Sequence, residues 1–179
     1  RDGSVAFQPV TAQRGVLVVA GPNARRLLAK LTDADLSTAA FPWLSAQQIS
    51  VGPIATWALR VNFVGELGWE LHHPIESQNA LFDLLFAAGE EFGVKPFGIR
   101  AMLSLAVEKS YRLVGRELSI EYAALESGHV RFVHPNKGAF LGPDAPVKWR
   151  ERGFANRFVT LEVHGVTDAD SRGSEPVLA

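Results

Sequence analysis

The sequence predicts an α+β fold, a ferredoxin-like split βαβ sandwich, and three observations predict it. An unbroken apolar run, Gly15-Val16-Leu17-Val18-Val19-Ala20, is stopped by Gly21-Pro22 and followed by leucines at helical spacing. Two stretches of period-2 alternation flank a turn with two glycines three apart, Gly65 and Gly68. Beyond them, Leu81, Leu84, Leu85 and Ala88 return at the 3.6-residue period of a helix. Strand, helix, strand, strand, helix is the order of a sheet covered by helices.

Each element has a local reason. Gly15 to Ala20 has the length and apolarity of a buried strand. Pro22 suits the first position of a helix, where its missing N–H would be unpaired anyway. Leu27, Leu28 and Leu31 give that helix one apolar face, and Arg25 and Arg26 belong to its solvated side. Phe41-Pro42-Trp43 reads as a loop, Gln47 to Val51 as a short strand, and Gly52-Pro53 as a turn. Trp57, Leu59, Val61 and Phe63 then alternate with Thr56, Ala58, Arg60 and Asn62, a half-buried strand from Ile54 to Phe63. Trp69 and Leu71 alternate with Glu70 and His72 in its partner. His72 and His73 point to opposite faces of a strand and cannot both hold one metal ion, so both are expected on the surface at a strand end. Ser77 can cap the next helix, which Gly93 and Pro96 end.

The hairpin turn Asn62-Phe63-Val64-Gly65-Glu66-Leu67-Gly68-Trp69 carries the first functional signal. Its glycines allow a tight bend and close approach of the backbone. Glu66 sits between them with an aromatic on each side. A carboxylate there can accept two parallel hydrogen bonds from a planar N–H/NH₂ edge, while Phe63 or Trp69 offers a stacking face. A pterin, a guanine or a guanidinium has such an edge. The plainer alternative is an exposed hairpin with a solubilising glutamate.

A second signal lies between Gly98 and Tyr111, which is expected to form a largely buried helix. On it Arg100, Ser104 and Glu108 fall at i, i+4 and i+8, one polar line. Arg100 and Glu108 are about 12 Å apart along the axis, too far to neutralise each other. Buried charges need partners, so each is expected to meet a ligand, a cavity or an internal ion pair with residues such as Arg116 or Glu121.

Composition narrows the remaining classes. With 47% hydrophobic residues and a net charge of −1 in 179 residues, nothing points to nucleic acid. No apolar run approaches the roughly 20 residues that span a bilayer. The absence of cysteine excludes disulfides, a thiol nucleophile and thiolate metal ligands. No segment reads as a signal peptide, and a cytoplasmic or, in a eukaryote, mitochondrial-matrix location is expected. The chain opens on Arg1 and its one methionine is Met102, so a processed or cut piece is expected.

Four motifs together resemble the aminomethyltransferase family, which includes the T-protein of the glycine cleavage system and the C-terminal folate domains of dimethylglycine and sarcosine dehydrogenases. They are Leu31-Thr32-Asp33-Ala34-Asp35-Leu36-Ser37, Gly65 to Leu71 (G-E-L-G-W-E-L), Gly98 to Tyr111, and Gly115-Arg116-Glu117-Leu118 with Leu125-Glu126-Ser127-Gly128. Lys137-Gly138-Ala139-Phe140-Leu141-Gly142 is similar to a further family loop, leading into a helix near 145–152. Departures are Ala106 for an arginine, Ser110 for a glycine, Ala124 for a proline and His129 for a leucine. The resemblance covers about residues 13–165.

The resemblance implies the middle part of the family's folate-binding fold. It implies one domain over 1–152 and, from the strand-like Phe158 to Val163, the start of a truncated C-terminal β domain over 153–179. It implies tetrahydrofolate as cofactor, with Glu66 binding the pterin, Arg100 meeting folate or closing the site, and Trp69 or Tyr111 stacking or lining it. FAD, where a parent protein uses it, would belong to a separate domain or subunit, and the one-carbon donor would be a small amine. The family's catalytic aspartate has no counterpart in these residues, so no catalytic residue is assigned and the piece alone is expected to be inactive. The G-E-L-G-W-E-L turn and the L-T-D-A-D-L-S run favour the dehydrogenase branch over the T-protein. A non-catalytic folate-binding or structural module is the alternative of another class.

Overall fold

The computed structural model describes residues 3–134, 137–138, 148–149, 151–153, 156–162 and 164–165. The chain forms two compact units, Arg1–Tyr111 and Arg112–Ala179. In the first, β1 (Arg14–Ala20), α1 (Ala24–Leu28), β2 (Ala46–Val51), β3 (Ile54–Leu59), β4 (Gly68–Pro74), α2 (Gln78–Gly89) and α3 (Ile99–Glu108) follow in order. The α+β class is as expected. The sheet is antiparallel throughout, in the order β1-β4-β3-β2. The two strands that α1 connects therefore lie at opposite edges, with β4 and β3 between them.

One face of the sheet holds the core. Trp69 and Leu71 of β4 meet Leu27 and Leu28 of α1, Leu81 and Leu85 of α2, and Phe41 from the loop before β2. Each such large side chain contributes about 1.5–3 kcal/mol by leaving water. Of the predicted α2 stripe, Leu81, Leu85 and Ala88 are buried and Leu84 is partly buried against the core, while Phe82 and Phe86 stack on each other at 4.3 Å. Ser77 stands at the N-cap of α2 but makes no capping bond, and Gly93, at φ +66°, ends the following 3₁₀ turn. Pro22 precedes α1 rather than opening it, and Asn23 is the N-cap.

Several expectations are corrected by packing. β1 is an edge strand buried on one side: Leu17 and Val19 pack on the core, while Val16 and Val18 are exposed. In β3 the alternation is present with its faces exchanged. Thr56 and Ala58 are buried and Trp57 is 47% exposed. Ala58 lies directly opposite Leu71, and the large β4 side chains leave only small neighbours room on the core face. The strand also stops at Leu59, so residues 60–67 form a wider loop. His73 is wholly buried, because β4 is a central strand that continues past it to Pro74. Its Nδ1 lies 2.9 Å from the Leu71 carbonyl and its Nε2 2.8 Å from Gln78 Oε1. His72 faces the other side and pairs with Glu70 at 3.1 Å.

In the second unit, Val114 and Leu118 form an isolated parallel bridge. Arg112 donates to the Ser127 carbonyl, and Glu126 Oε2 accepts from the Ala123 N–H at 2.9 Å. His129 Nδ1 lies 2.9 Å from the Ser127 carbonyl, and its ring stacks on Phe132 at 5.7 Å. Of the helix expected near 145–152, residues 148–149 and 151–152 are helical. Residues 158–162 are not a strand. An extended apolar tract becomes a strand only when another edge takes up its backbone groups. Ala139 to Gly142 and the polar stretch after Val166 lie outside the described residues.

Candidate functional site

The loop between β3 and β4 is held by one side chain. Asn62 Oδ1 accepts from the Val64 N–H at 3.0 Å, and its Nδ2 donates to the Glu66 carbonyl at 2.6 Å. This Asx clamp closes the turn from within. Gly65 has φ +73°, a conformation that costs other residues about 1–2 kcal/mol. Gly68 is needed for another reason: a Cβ there would stand 2.7 Å from the Val19 carbonyl and 2.9 Å from Asn62 Nδ2. The two glycines of the signature thus have separate jobs, one conformational and one of close approach.

So held, Glu66 presents a side chain 38% exposed. Its Oε1 lies 3.5 Å from Lys109 Nζ, whose own side chain is 48% exposed. A Cβ on Gly65 would collide with Lys109 Cγ and come within 2.7 Å of Lys109 Cβ. The lysine stem therefore lies across the turn. Lys109 is brought there by the end of α3. Tyr111 N–H bonds to the Ala106 carbonyl at 2.8 Å and Ser110 N–H to that of Val107 at 2.9 Å, with Ser110 at φ +58°. That pair of bonds around a left-handed residue is a Schellman termination. Ser110 thus occupies the position where the family pattern has glycine.

The other expected residues are dispersed. Trp69 is wholly buried and packs edge-on against Phe41 at 6.1 Å. Arg25 and Arg60 lie over its ring at 5.9 and 5.8 Å. A ring with no exposed area offers no face to a ligand, so Trp69 is a core residue. Its Nε1 is buried without a hydrogen-bond partner. Both arginines tie down the loop before β2: Arg25 Nε donates to the Leu36 carbonyl at 2.8 Å and Arg60 Nη1 to that of Phe41 at 2.5 Å. Burial, and then the like charge of Arg25, lower the proton affinity of Arg60. Arg25 is therefore not the solvated residue that helical spacing implied.

Arg100 is exposed, as are Ser104 and Glu108, and Ala106 is the buried residue of α3. The expected buried polar line is instead a solvated face, because side-chain apolarity creates a demand for cover without supplying it. Glu66 meets the last turn of α3 and Arg100 occupies the first, about 13 Å away along the axis. Tyr111, 41% exposed, lies at the same helix end as Lys109. A cavity of about 540 Å³ lies between the free edge of β1, α2 and the start of α3. None of Glu66, Trp69, Arg100 or Tyr111 lines it. Among the described residues no group of three potential ligands could hold a metal ion, and no helix is long and apolar enough to cross a membrane.

Sequence reasoning passed over Asn62 and Lys109. Asn62 had a local signal, an Asx residue two positions before a turn amide. Lys109 had none, since its partner is 43 residues away.

The antiparallel sheet and its glycine-bounded turn thus present one partly exposed carboxylate. The chain belongs to the GCVT N-terminal domain family, whose model matches residues 1–137. It is 40% identical over 174 residues to mitochondrial dimethylglycine dehydrogenase of Homo sapiens, covering 97% of this chain and 20% of that protein. It is 38% identical over 151 residues to mitochondrial sarcosine dehydrogenase of Mus musculus, covering 83% and 16%. With the aminomethyltransferase of Caldanaerobacter subterraneus subsp. tengcongensis it shares 33% identity over 161 residues, 90% of this chain and 43% of that one. The chain thus spans about a fifth of the dehydrogenase and under half of the aminomethyltransferase. Among solved structures, the heterotetrameric sarcosine oxidase from Corynebacterium sp. U-96 in complex with pyrrole 2-carboxylate is similar at TM-score 0.44 and 27% identity, over 50% of this chain and 44% of that one.

Proposed function

We propose that this chain is the folate-binding part of a tetrahydrofolate-dependent one-carbon transferase, most like the folate domain of a dimethylglycine or sarcosine dehydrogenase. The observation that carries the reading is Glu66, fixed by Asn62 and Gly65 at an exposed turn within the residues that the family model matches. The chemistry fits the ligand: a carboxylate accepts the N–H/NH₂ edge of a pterin, and the Glu66 side chain is 38% exposed. Tyr111 supplies the exposed ring in place of Trp69. Arg100, about 13 Å along α3, is left to the anionic end of an elongated ligand. Bound tetrahydrofolate would supply the amine nitrogens that take up the one-carbon unit. The residues of this chain bind and orient it, and orientation is the larger part of the benefit in such a transfer.

The same proposal includes a folate-binding part over 1–152 followed by a β domain, an amine-derived donor, a flavin domain or subunit in the parent protein, and a matrix location in a eukaryote. The dehydrogenase branch is preferred over aminomethyltransferase because the identity is higher over a longer stretch, 40% over 174 residues against 33% over 161. Calorimetry with 5-formyltetrahydrofolate tests the site. Binding by the native chain, with at least a tenfold loss in Glu66→Ala, is the expected result. Equal binding by both removes Glu66 from the site.

A further inference from the structure

We propose that Lys109 is a competitor for the ligand edge at Glu66, a built-in counter-ion that the incoming ligand must displace. The inference rests on the folate reading for the identity of that ligand.

Three observations place Lys109 in this role. Its ammonium lies 3.5 Å from Glu66 Oε1, with both side chains partly in water. Its stem lies against Gly65, where an added Cβ would stand 2.7 Å from Lys109 Cβ and 3.4 Å from its Cδ. Its backbone is set by the Schellman bonds at Ala106 and Val107, which fix the last residues of α3 beside the turn. A carboxylate gripping a planar N–H/NH₂ edge commits both oxygens in one plane. An ammonium on Oε1 occupies half of that acceptor set. Binding therefore exchanges a cation for two neutral donors, and Lys109, on a flexible four-carbon stem, swings away with three donors free. A guanidinium, by contrast, would have to enter beside that ammonium. Lys109 thus disfavours cationic ligands at a turn whose carboxylate alone would accept them.

An exposed pair of this kind is worth about 0.2–1 kcal/mol, so removing the competitor should tighten binding by about 1.4- to fivefold. Lys109→Met keeps the stem over Gly65 and deletes the charge. The expected result is tighter binding of 5-formyltetrahydrofolate by Lys109→Met, with Lys109→Arg restoring the native affinity. In the native chain the binding should strengthen relative to Lys109→Met as salt rises, because salt screens the competing pair. A merely structural lysine would produce neither the charge-specific rescue nor the salt difference. Equal or weaker binding by Lys109→Met overturns the proposal. Absence of binding to every chain removes the folate reading instead. The pairing is then decided by the ¹³C resonance of the Glu66 carboxyl group: its displacement in ligand-free Lys109→Met sustains Lys109 as the partner, and an unmoved resonance overturns it.

Discussion

Ser110 shows how one residue can carry a cost that a local pattern conceals. It holds φ +58° as the left-handed residue of the α3 termination. That conformation costs a side-chain-bearing residue about 1–2 kcal/mol, while glycine brings extra chain entropy worth about 0.5–1 kcal/mol. The first term is the larger. Ser110→Gly should therefore stabilise the chain by about 0.5–1 kcal/mol, read as a rise in the chemical-denaturation midpoint at unchanged slope. A fall in the midpoint would mean that the hydroxyl contributes more than the backbone strain. Trp69 makes the opposite point. Its place beside Glu66 in the signature suggests a ligand contact, yet its ring is part of the core and its N–H has no partner there. Glu66 lies in the loop and Trp69 in the central strand β4, so closeness in sequence says little about shared exposure.

At the scale of elements, β1, β4 and α2 pack closely at Gly15. Gly15 of β1 lies opposite His73 of β4. A Cβ at Gly15 would collide with Gln78 Oε1 and stand 2.7 Å from His73 Nε2. Gly15→Ala should displace the His73–Gln78 bond and cost about 1–3 kcal/mol. Thermal unfolding of Gly15→Ala beside Gly21→Ser checks this, since a Cβ at Gly21 meets nothing within 4 Å but must adopt φ +130°. A loss at Gly21 alone would show that backbone conformation, and not space, governs this edge. The hairpin and α3 illustrate a second rule. Each was recognisable as an element, but the ion pair that joins Glu66 to Lys109 belongs to neither alone.

For the whole molecule, charge is near balance, and two anchored carboxylates among the described residues contribute to acid stability. Hydrogen bonds from Ser37 hold the Asp35 carboxyl below its ordinary range, helped by Arg25. The hydrogen bond and charge of Lys30 do the same for Glu91. Groups depressed in the folded state contribute stability above their unfolded values, about 3.9 for Asp and 4.3 for Glu, and lose it as pH falls through the folded values. The melting temperature should therefore decline below about pH 4.5. Lys30→Met should flatten part of that decline while lowering stability evenly elsewhere, because Lys30 Nζ also donates to the Ala88 carbonyl at 3.1 Å. An unchanged acid limb in Lys30→Met would remove Glu91 from the account.

The sequence by itself determined the α+β class, the positions of the strands and helices in the first unit, the two glycines of the turn, and the family. These rest on periodicity and on backbone conformations that few residues tolerate, both of which are local. Tertiary structure alone decided that Thr56 and Ala58 face inward while Trp57 does not. It also decided that His73 is buried, that Trp69 belongs to the core, and that Lys109 meets Glu66. Each of those outcomes depends on which side chains fill the same space from distant parts of the chain, and short-range pattern carries no record of that competition.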